Sequence, residues 1–177
     1  GGMSAFVGLQ MEYSLLQPTP DRDPLPMAEY FGLTTVAWAP LAAGVLTGKY
    51  TRGGDVDSLR KAANDQRGRT SESALAIARK VDEVADALGA TSAQVATAWV
   101  MAQGYGFIPI VGARKVSQIS DTLGAAAVEL SAEHLQALDE VSRIELGFPH
   151  DFLQSDGVRN MGRGEIRTQI EGRKAKA

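Results

Sequence analysis

TTVAWAPLAAGVLTGKY, residues 34–50, decides the fold when it is read with IPIVGARKVSQISDTLGA, residues 108–125. Each begins with a short apolar, β-branched run suited to a buried strand and passes directly into a glycine-containing turn. Pro40 stops the first run, so a strand is expected over Leu33–Ala39, and another over Phe107–Val111, opening at Gly112. Upstream, AFVGL at residues 5–9 continues into Gln10 and then alternates through Tyr13 and Leu15, which gives a further strand.

The stretches between these strands carry helical signals. Pro18, Pro20, Pro24 and Pro26 punctuate a loop, and Pro26 suits the first turn of a helix through MAEYFG that ends at Gly32 as a left-handed cap. Residues 51–69 are polar and glycine-containing and read as a mobile loop with one helical turn. From Thr70 the period becomes helical: Ala74, Ile77, Ala78, Val81, Val84, Ala85 and Leu88 share one face, with Arg79, Lys80, Asp82 and Glu83 opposite, and Gly89 ends the run. Thr91 with Gln94 forms a capping box for the next helix, with Val95, Ala98, Trp99 and Ala102 inward before Gly104. Further helices are expected over Val116–Leu123 and from Ser131, the latter with Leu130 and Leu135 as a hydrophobic staple. Strands alternating with helices indicate a parallel α/β sheet.

The chain has 177 residues, 44% hydrophobic and 22% charged, which suits one globular domain with an ample core. That domain is expected over residues 3–160, with a flexible basic tail at 161–177. A net charge of −3 disfavours non-specific attraction to nucleic acid or an anionic membrane. There is no cysteine and there are two isolated histidines, so disulfides and clustered metal ligands are not expected. No leader or long apolar run is visible, and a cytoplasmic protein is the default expectation. Gly1 and Gly2, ahead of Met3, read equally as a cloning remnant or as native residues.

The two quoted segments closely resemble the last two strand-loop units of the aldo-keto reductase family, and FVGLQMEYSLLQPTPDRDPLPMA, residues 6–28, resembles the strand before them. The resemblance implies an α/β fold that is a partial (half) TIM-type (β/α)8 barrel, with about three parallel strands and flanking helices. Such a piece of a closed barrel would have exposed edges, so it is expected to be completed by a second copy of itself or by a chain supplying the N-terminal half barrel.

In a barrel of parallel strands the C-terminal strand ends build the active face, where Gln10, Trp38 and Gly112 would sit. The resemblance implies that Trp38 stacks on a nicotinamide ring and that Gln10 hydrogen-bonds its carboxamide. The structural alternative is a strand-end glutamine against its own loop and a core tryptophan. Ala39, Leu41 and Gly44 are implied as backbone contacts to a cofactor diphosphate, with Lys49 as an electrostatic aid; the alternative is a plain chain-reversing turn. In GARKVSQISDT a glycine turn leads into a helix start, a place that attracts anions. By resemblance Ala113, Arg114 and Gln118 hold the 2′-phosphate of NADP(H), and Asp121 holds the adenine amine. Thr122 stands where the family commonly has Asn.

The family's catalytic Asp, Tyr, Lys and His lie in the first half of its barrel, ahead of the segment that this chain resembles. Tyr13, Tyr30, Tyr50 and Tyr105 fall outside the family's catalytic motif; Tyr13 matches a structural position. His134, at the third position of a helix, and His150, in a C-terminal loop, are expected to face solvent. Three functions follow as expectations. One is an aldo-keto reductase-like fragment that keeps the NADP(H)-binding half and does not reduce carbonyls alone. The second is a nucleotide-binding or oligomeric interaction module. The third is a repurposed, hydrolytic enzyme with a site at a subunit interface built from Tyr13, His150 or Asp151.

Overall fold

A computed structural model of the protein describes residues 2–54 and 56–163. Among them, three parallel strands form one sheet in the order β1 (Gly8–Glu12), β2 (Thr34–Trp38), β3 (Ile108–Pro109). Gly8 to Glu12 run opposite Thr34 to Trp38, and Val36 and Ala37 run opposite Ile108 and Pro109. β2 lies within the expected span. β1 starts at Gly8 rather than Ala5, and β3 is cut to two residues because Pro109 has no N–H to give the ladder. The ladder continues only through the Ile110 amide, which donates to the Ala37 carbonyl at 2.7 Å.

Helix α1 (Pro24–Tyr30) joins β1 to β2 and closes with Gly32 in the left-handed region at φ +64°. The Leu33 amide donates to the Ala28 carbonyl at 2.8 Å, which satisfies an otherwise orphaned helix-end acceptor. Helices α2 (Ser58–Gln66), α3 (Glu72–Leu88) and α4 (Ser92–Ala102) lead from β2 to β3. Residues 51–69 are therefore more than a loop with one turn: Asp57 caps α2, its carboxylate accepting from the Leu59 amide at 3.0 Å and the Arg60 amide at 3.4 Å. The Thr91–Gln94 capping box forms as expected, and α4 is buried nearly all round, although Ala102 is exposed. Helix α5 (Val116–Leu123) has its expected limits, and α6 (Ala132–Ser142) follows.

Residues up to Ser142 form one compact unit and residues from Arg143 another. The second contains α7 (His150–Gln154), which replaces the expected loop around His150, and α8 (Asp156–Arg163). The flexible tail was expected from residue 161, but residues 161–163 end α8; the rest of that tail, beyond Arg163, lies outside the described residues.

The pleat divides the sheet sharply. Thr35 and Ala37 are buried on one face, whereas Thr34 and Trp38 are exposed on the other. On the covered face Tyr13 stacks on Phe107 with ring centroids 4.5 Å apart and on Trp99 at 5.5 Å. Its hydroxyl donates to Asp21 at 3.0 Å, and the Trp99 indole donates to Asp139 at 2.7 Å. Val45, Leu46, Val81, Val95, Val100 and Leu138 complete the core.

Burial first, and the neighbouring Asp21 carboxylate second, push the Tyr13 phenol far above its ordinary value. Below about pH 10 the phenol is protonated in both folded and unfolded chains and its contribution is whole. Above that point the unfolded chain ionises while the folded one does not, so stability falls as pH rises. Tyr13→Phe is expected to lower stability near neutrality by about 1 kcal/mol through the lost hydrogen bond. It should also reduce the alkaline slope by up to about 1.4 kcal/mol per pH unit, read from urea unfolding at roughly pH 8 and pH 11. An unchanged slope would contradict the assignment.

Candidate functional site

At the C-terminal end of β2 the chain enters an unusual backbone path. Ala39, Ala42 and Ala43 have φ of 55°, 47° and 55°, and they are the non-glycine residues with positive φ among the described residues. Gly44 and Gly48 follow at 92° and 81°. A side chain in this region costs about 1–2 kcal/mol, so three such alanines mark stored strain. Leu41, at φ −95° and ψ 10°, precedes the left-handed Ala42, so the backbone changes hand within the loop. The loop is braced internally by the Ala42 amide on the Ala39 carbonyl and the Gly44 amide on the Leu41 carbonyl, both at 2.8 Å.

Trp38 immediately precedes this loop and is 40% exposed on the open sheet face. Gln10 is exposed on the same face of β1, one pleat behind Glu12, which is the register partner of Trp38. The structure thus places Trp38, Ala39, Leu41 and Gly44 in succession at the C-terminal end of β2, whereas Gln10, expected at a strand end, lies in the middle of β1 opposite Val36, because β1 runs on to Glu12.

Helix α2 contributes residues that the sequence reading missed. A Cβ added at Gly44 would stand 3.9 Å from Arg60 Nη1, which places this guanidinium beside the loop. Buried Asn64 donates to the Tyr50 hydroxyl at 2.8 Å, and the Asp57 carboxylate lies 3.9 Å from Arg114 Nη1. The signal was present: Asp57 stands directly before SLRKAANDQ, an N-cap ahead of strong helix formers.

Gly112, Ala113 and Arg114 are exposed at the end of β3, with the Arg114 amide donating to Gln118 Oε1 at 3.0 Å. The Gln118 carbonyl oxygen is thus occupied, which leaves its amide NH2 as the donor end of the side chain. Asp121 and Thr122 are differently employed. The Asp121 carboxylate accepts from the Thr91 hydroxyl at 3.1 and 3.2 Å and from Gln94 Nε2 at 3.2 Å, which ties α5 to the start of α4. Thr122 is buried and its hydroxyl donates to the Gln118 carbonyl at 2.9 Å.

A cleft of about 310 Å³ opens between the end of β1 and the start of α3, lined by Glu12, Ser14, Arg67, Arg69, Ser71 and Ser73 among others. Arg69 pairs with Glu12, and the buried Ser14 hydroxyl has no hydrogen-bond partner among the described residues.

Tyr13, Tyr50, His134 and Asp151 are held in structural roles. The Tyr13 phenol is buried on Asp21, and the Tyr50 hydroxyl accepts from Asn64. His134 closes the start of α6, its amide donating to Ser131 Oγ at 3.2 Å and its Nδ1 accepting from the Ser131 amide at 3.4 Å. Asp151 accepts from the Gly147 amide at 2.9 Å within the second unit. No cluster of three or more His, Cys, Asp or Glu that could hold a metal occurs among the described residues, and none of their helices is long and apolar enough to cross a membrane.

Comparison with known proteins bears on the same segment. The model of the aldo/keto reductase family matches residues 2–143. The uncharacterized oxidoreductase YrpG of Bacillus subtilis is 36% identical over 139 residues, covering 77% of this chain and 41% of that protein. The aryl-alcohol dehydrogenase [NADP(+)] of Phanerodontia chrysosporium is 29% identical over 166 residues, covering 88% and 41% respectively. The crystal structure of the thermostable aldo-keto reductase Tm1743 with the inhibitor epalrestat superposes with a TM-score of 0.54 at 26% identity, over 75% of this chain and 38% of that one. The chain thus spans about two fifths of the length of these curated relatives.

Proposed function

The chain belongs to the aldo/keto reductase family, and from that premise we propose that it is the NADP(H)-binding, C-terminal half of a carbonyl-reducing barrel. The observation that carries the reading is the strained loop that follows Trp38 directly at the end of β2, on the sheet face that also carries Gln10. In this reading the nicotinamide lies on Trp38 with its carboxamide on Gln10, and the diphosphate lies against the backbone of Ala39, Leu41 and Gly44 near Arg60, with the Gly44 amide shared with the Leu41 carbonyl. The 2′-phosphate reaches Arg114, Ala113 and Gln118 beyond Gly112. Asp121 already serves the α4 cap, so it gives adenine at most a shared carboxylate oxygen, and the buried Thr122 gives it none. That the aryl-alcohol dehydrogenase carries NADP(+) in its name supports the choice of cofactor.

Hydride transfer to a carbonyl also needs a proton donor. Tyr13 and Tyr50 are tied to Asp21 and Asn64, and we assign the acid to the other half of the barrel. That half would cover the open sheet face, and the cleft at Glu12 would then lie next to the substrate. A second copy of this chain on the same face is the alternative, favoured by the apolar exposure of Trp38, Ile108 and Ile110.

Titration with NADPH tests the cofactor. Saturable quenching of tryptophan fluorescence is expected, and Trp38→Phe should abolish most of it, because Trp99 is buried against Tyr13 and Asp139. A well-folded sample with no quenching would refute the reading.

A further inference from the structure

We infer that Asp82, on α3, is the positioning residue of the diphosphate loop, an inference that rests on the cofactor reading above. The sequence pattern puts Asp82 on the polar face of α3 with Arg79, Lys80 and Glu83, yet it is only 7% exposed. It is buried because the chain that leaves the loop comes to it. Its carboxylate accepts from the Thr51 hydroxyl and from the Ser92 hydroxyl, both at 2.5 Å, and Arg52 Nε lies 3.4 Å away. The Arg52 guanidinium also donates to the Asp82 carbonyl and to Asp86 Oδ1, both at 2.9 Å.

Gly48 explains how so short a segment reaches the carboxylate. It ends the loop in the left-handed region, and a Cβ there would stand 3.3 Å from Asp82 Oδ1 and 3.2 Å from Ser92 Oγ. Glycine is required twice over, by its backbone angle and by the approach of the acid. Residues 48–52 are thereby held to α3 through Asp82, which Ser92 of α4 also engages. A loop holding three left-handed alanines relaxes unless both of its ends are held. Trp38 in β2 holds one end and Asp82 holds the other, with no part in contacting a ligand itself.

The test compares two ligands on the full chain. NADPH uses the loop, whereas adenosine 2′,5′-bisphosphate reaches the Arg114 end without a diphosphate bridge. Asp82→Ala is expected to weaken NADPH by about tenfold, the worth of one hydrogen bond to a charged group, and to leave the bisphosphate within about twofold. Thr51→Val, which cuts the tie from the loop side, should shift the ratio of the two affinities in the same direction and keeps the test open if the Asp82 variant does not fold. Ser92→Ala, which cuts only the tie to α4, should lower the melting temperature and leave the ratio unchanged. A general loss of stability would move all three variants alike, so an equal ratio in Thr51→Val and Ser92→Ala overturns the positioning role while the cofactor reading stands. Binding of neither ligand by the unmutated chain overturns both.

Discussion

Arg114→Ala is expected to remove most of the preference for NADPH over NADH, lowering it by roughly 10- to 100-fold. The 2′-phosphate is the chemical difference between the two cofactors, and the guanidinium offers it a planar pair of donors. Hydrogen bonds to charged groups contribute about 1.5–3 kcal/mol each, and this range sets the size of the effect. Arg114 is free to respond to the phosphate because its present carboxylate neighbour, Asp57, is 3.9 Å away and both side chains are well exposed, so that pair is worth little. A residual preference should survive through Lys115, the exposed residue immediately before α5, and the Gln118 amide. The measurement is a pair of equilibrium titrations, repeated at raised salt. The preference of the unmutated protein should shrink as salt screens the exposed charge, and that of the variant should barely respond. Equal affinities for the two cofactors in the unmutated protein would dispose of the assignment, and an undiminished preference in Arg114→Ala would transfer it to Lys115.

The parts of this fold that the sequence announces are those in which local chemistry decides. Gly32 and Gly89 end their helices, Thr91 and Gln94 cap theirs, and Val116–Leu123 forms as its pattern demands, because each depends on residues a turn apart. The misjudged parts depend on partners distant in sequence. Periodicity assigns Asp82 to solvent, since nothing in α3 itself reveals that Thr51 and Ser92 will converge on it. A polar run hid α2, although its cap at Asp57 was readable. Alanine carries no sign of a left-handed backbone, so the strain at Ala39, Ala42 and Ala43 appears only in the folded loop. Pro109 shortens the third strand to two residues, although the apolar residues around it favour a longer one. In the site, Trp38 is legible as an aromatic at the end of β2, whereas Gln10 lies in the middle of β1 and Arg114 beyond the end of β3. Arg60 and the prior engagement of Asp121 and Thr122 were not, because each depends on how a neighbouring helix packs.

Ile110→Lys is expected to abolish whatever association covers the open sheet face while changing the stability of the lone chain by no more than about 0.5 kcal/mol. Ile108, Ile110 and Trp38 are 55%, 45% and 40% exposed side by side on that face, on a sheet type that ordinarily has both faces covered. Fully burying an isoleucine contributes about 1.5–3 kcal/mol, and replacing it by a cation adds the cost of stranding a charge in the seam. A loss of about 2–4 kcal/mol at the centre of an interface weakens association by roughly 30- to 1000-fold. Sedimentation over a range of concentrations, alone and with the N-terminal half of an aldo/keto reductase barrel, reads the effect. If the unmutated chain captures that half and gains NADPH-dependent carbonyl reduction, and Ile110→Lys loses both, the face belongs to barrel closure. Self-association that Ile110→Lys disperses would give the face to a second copy. An unmutated chain that stays monomeric in both samples would leave those apolar side chains in water, and the half-barrel reading would fall with them.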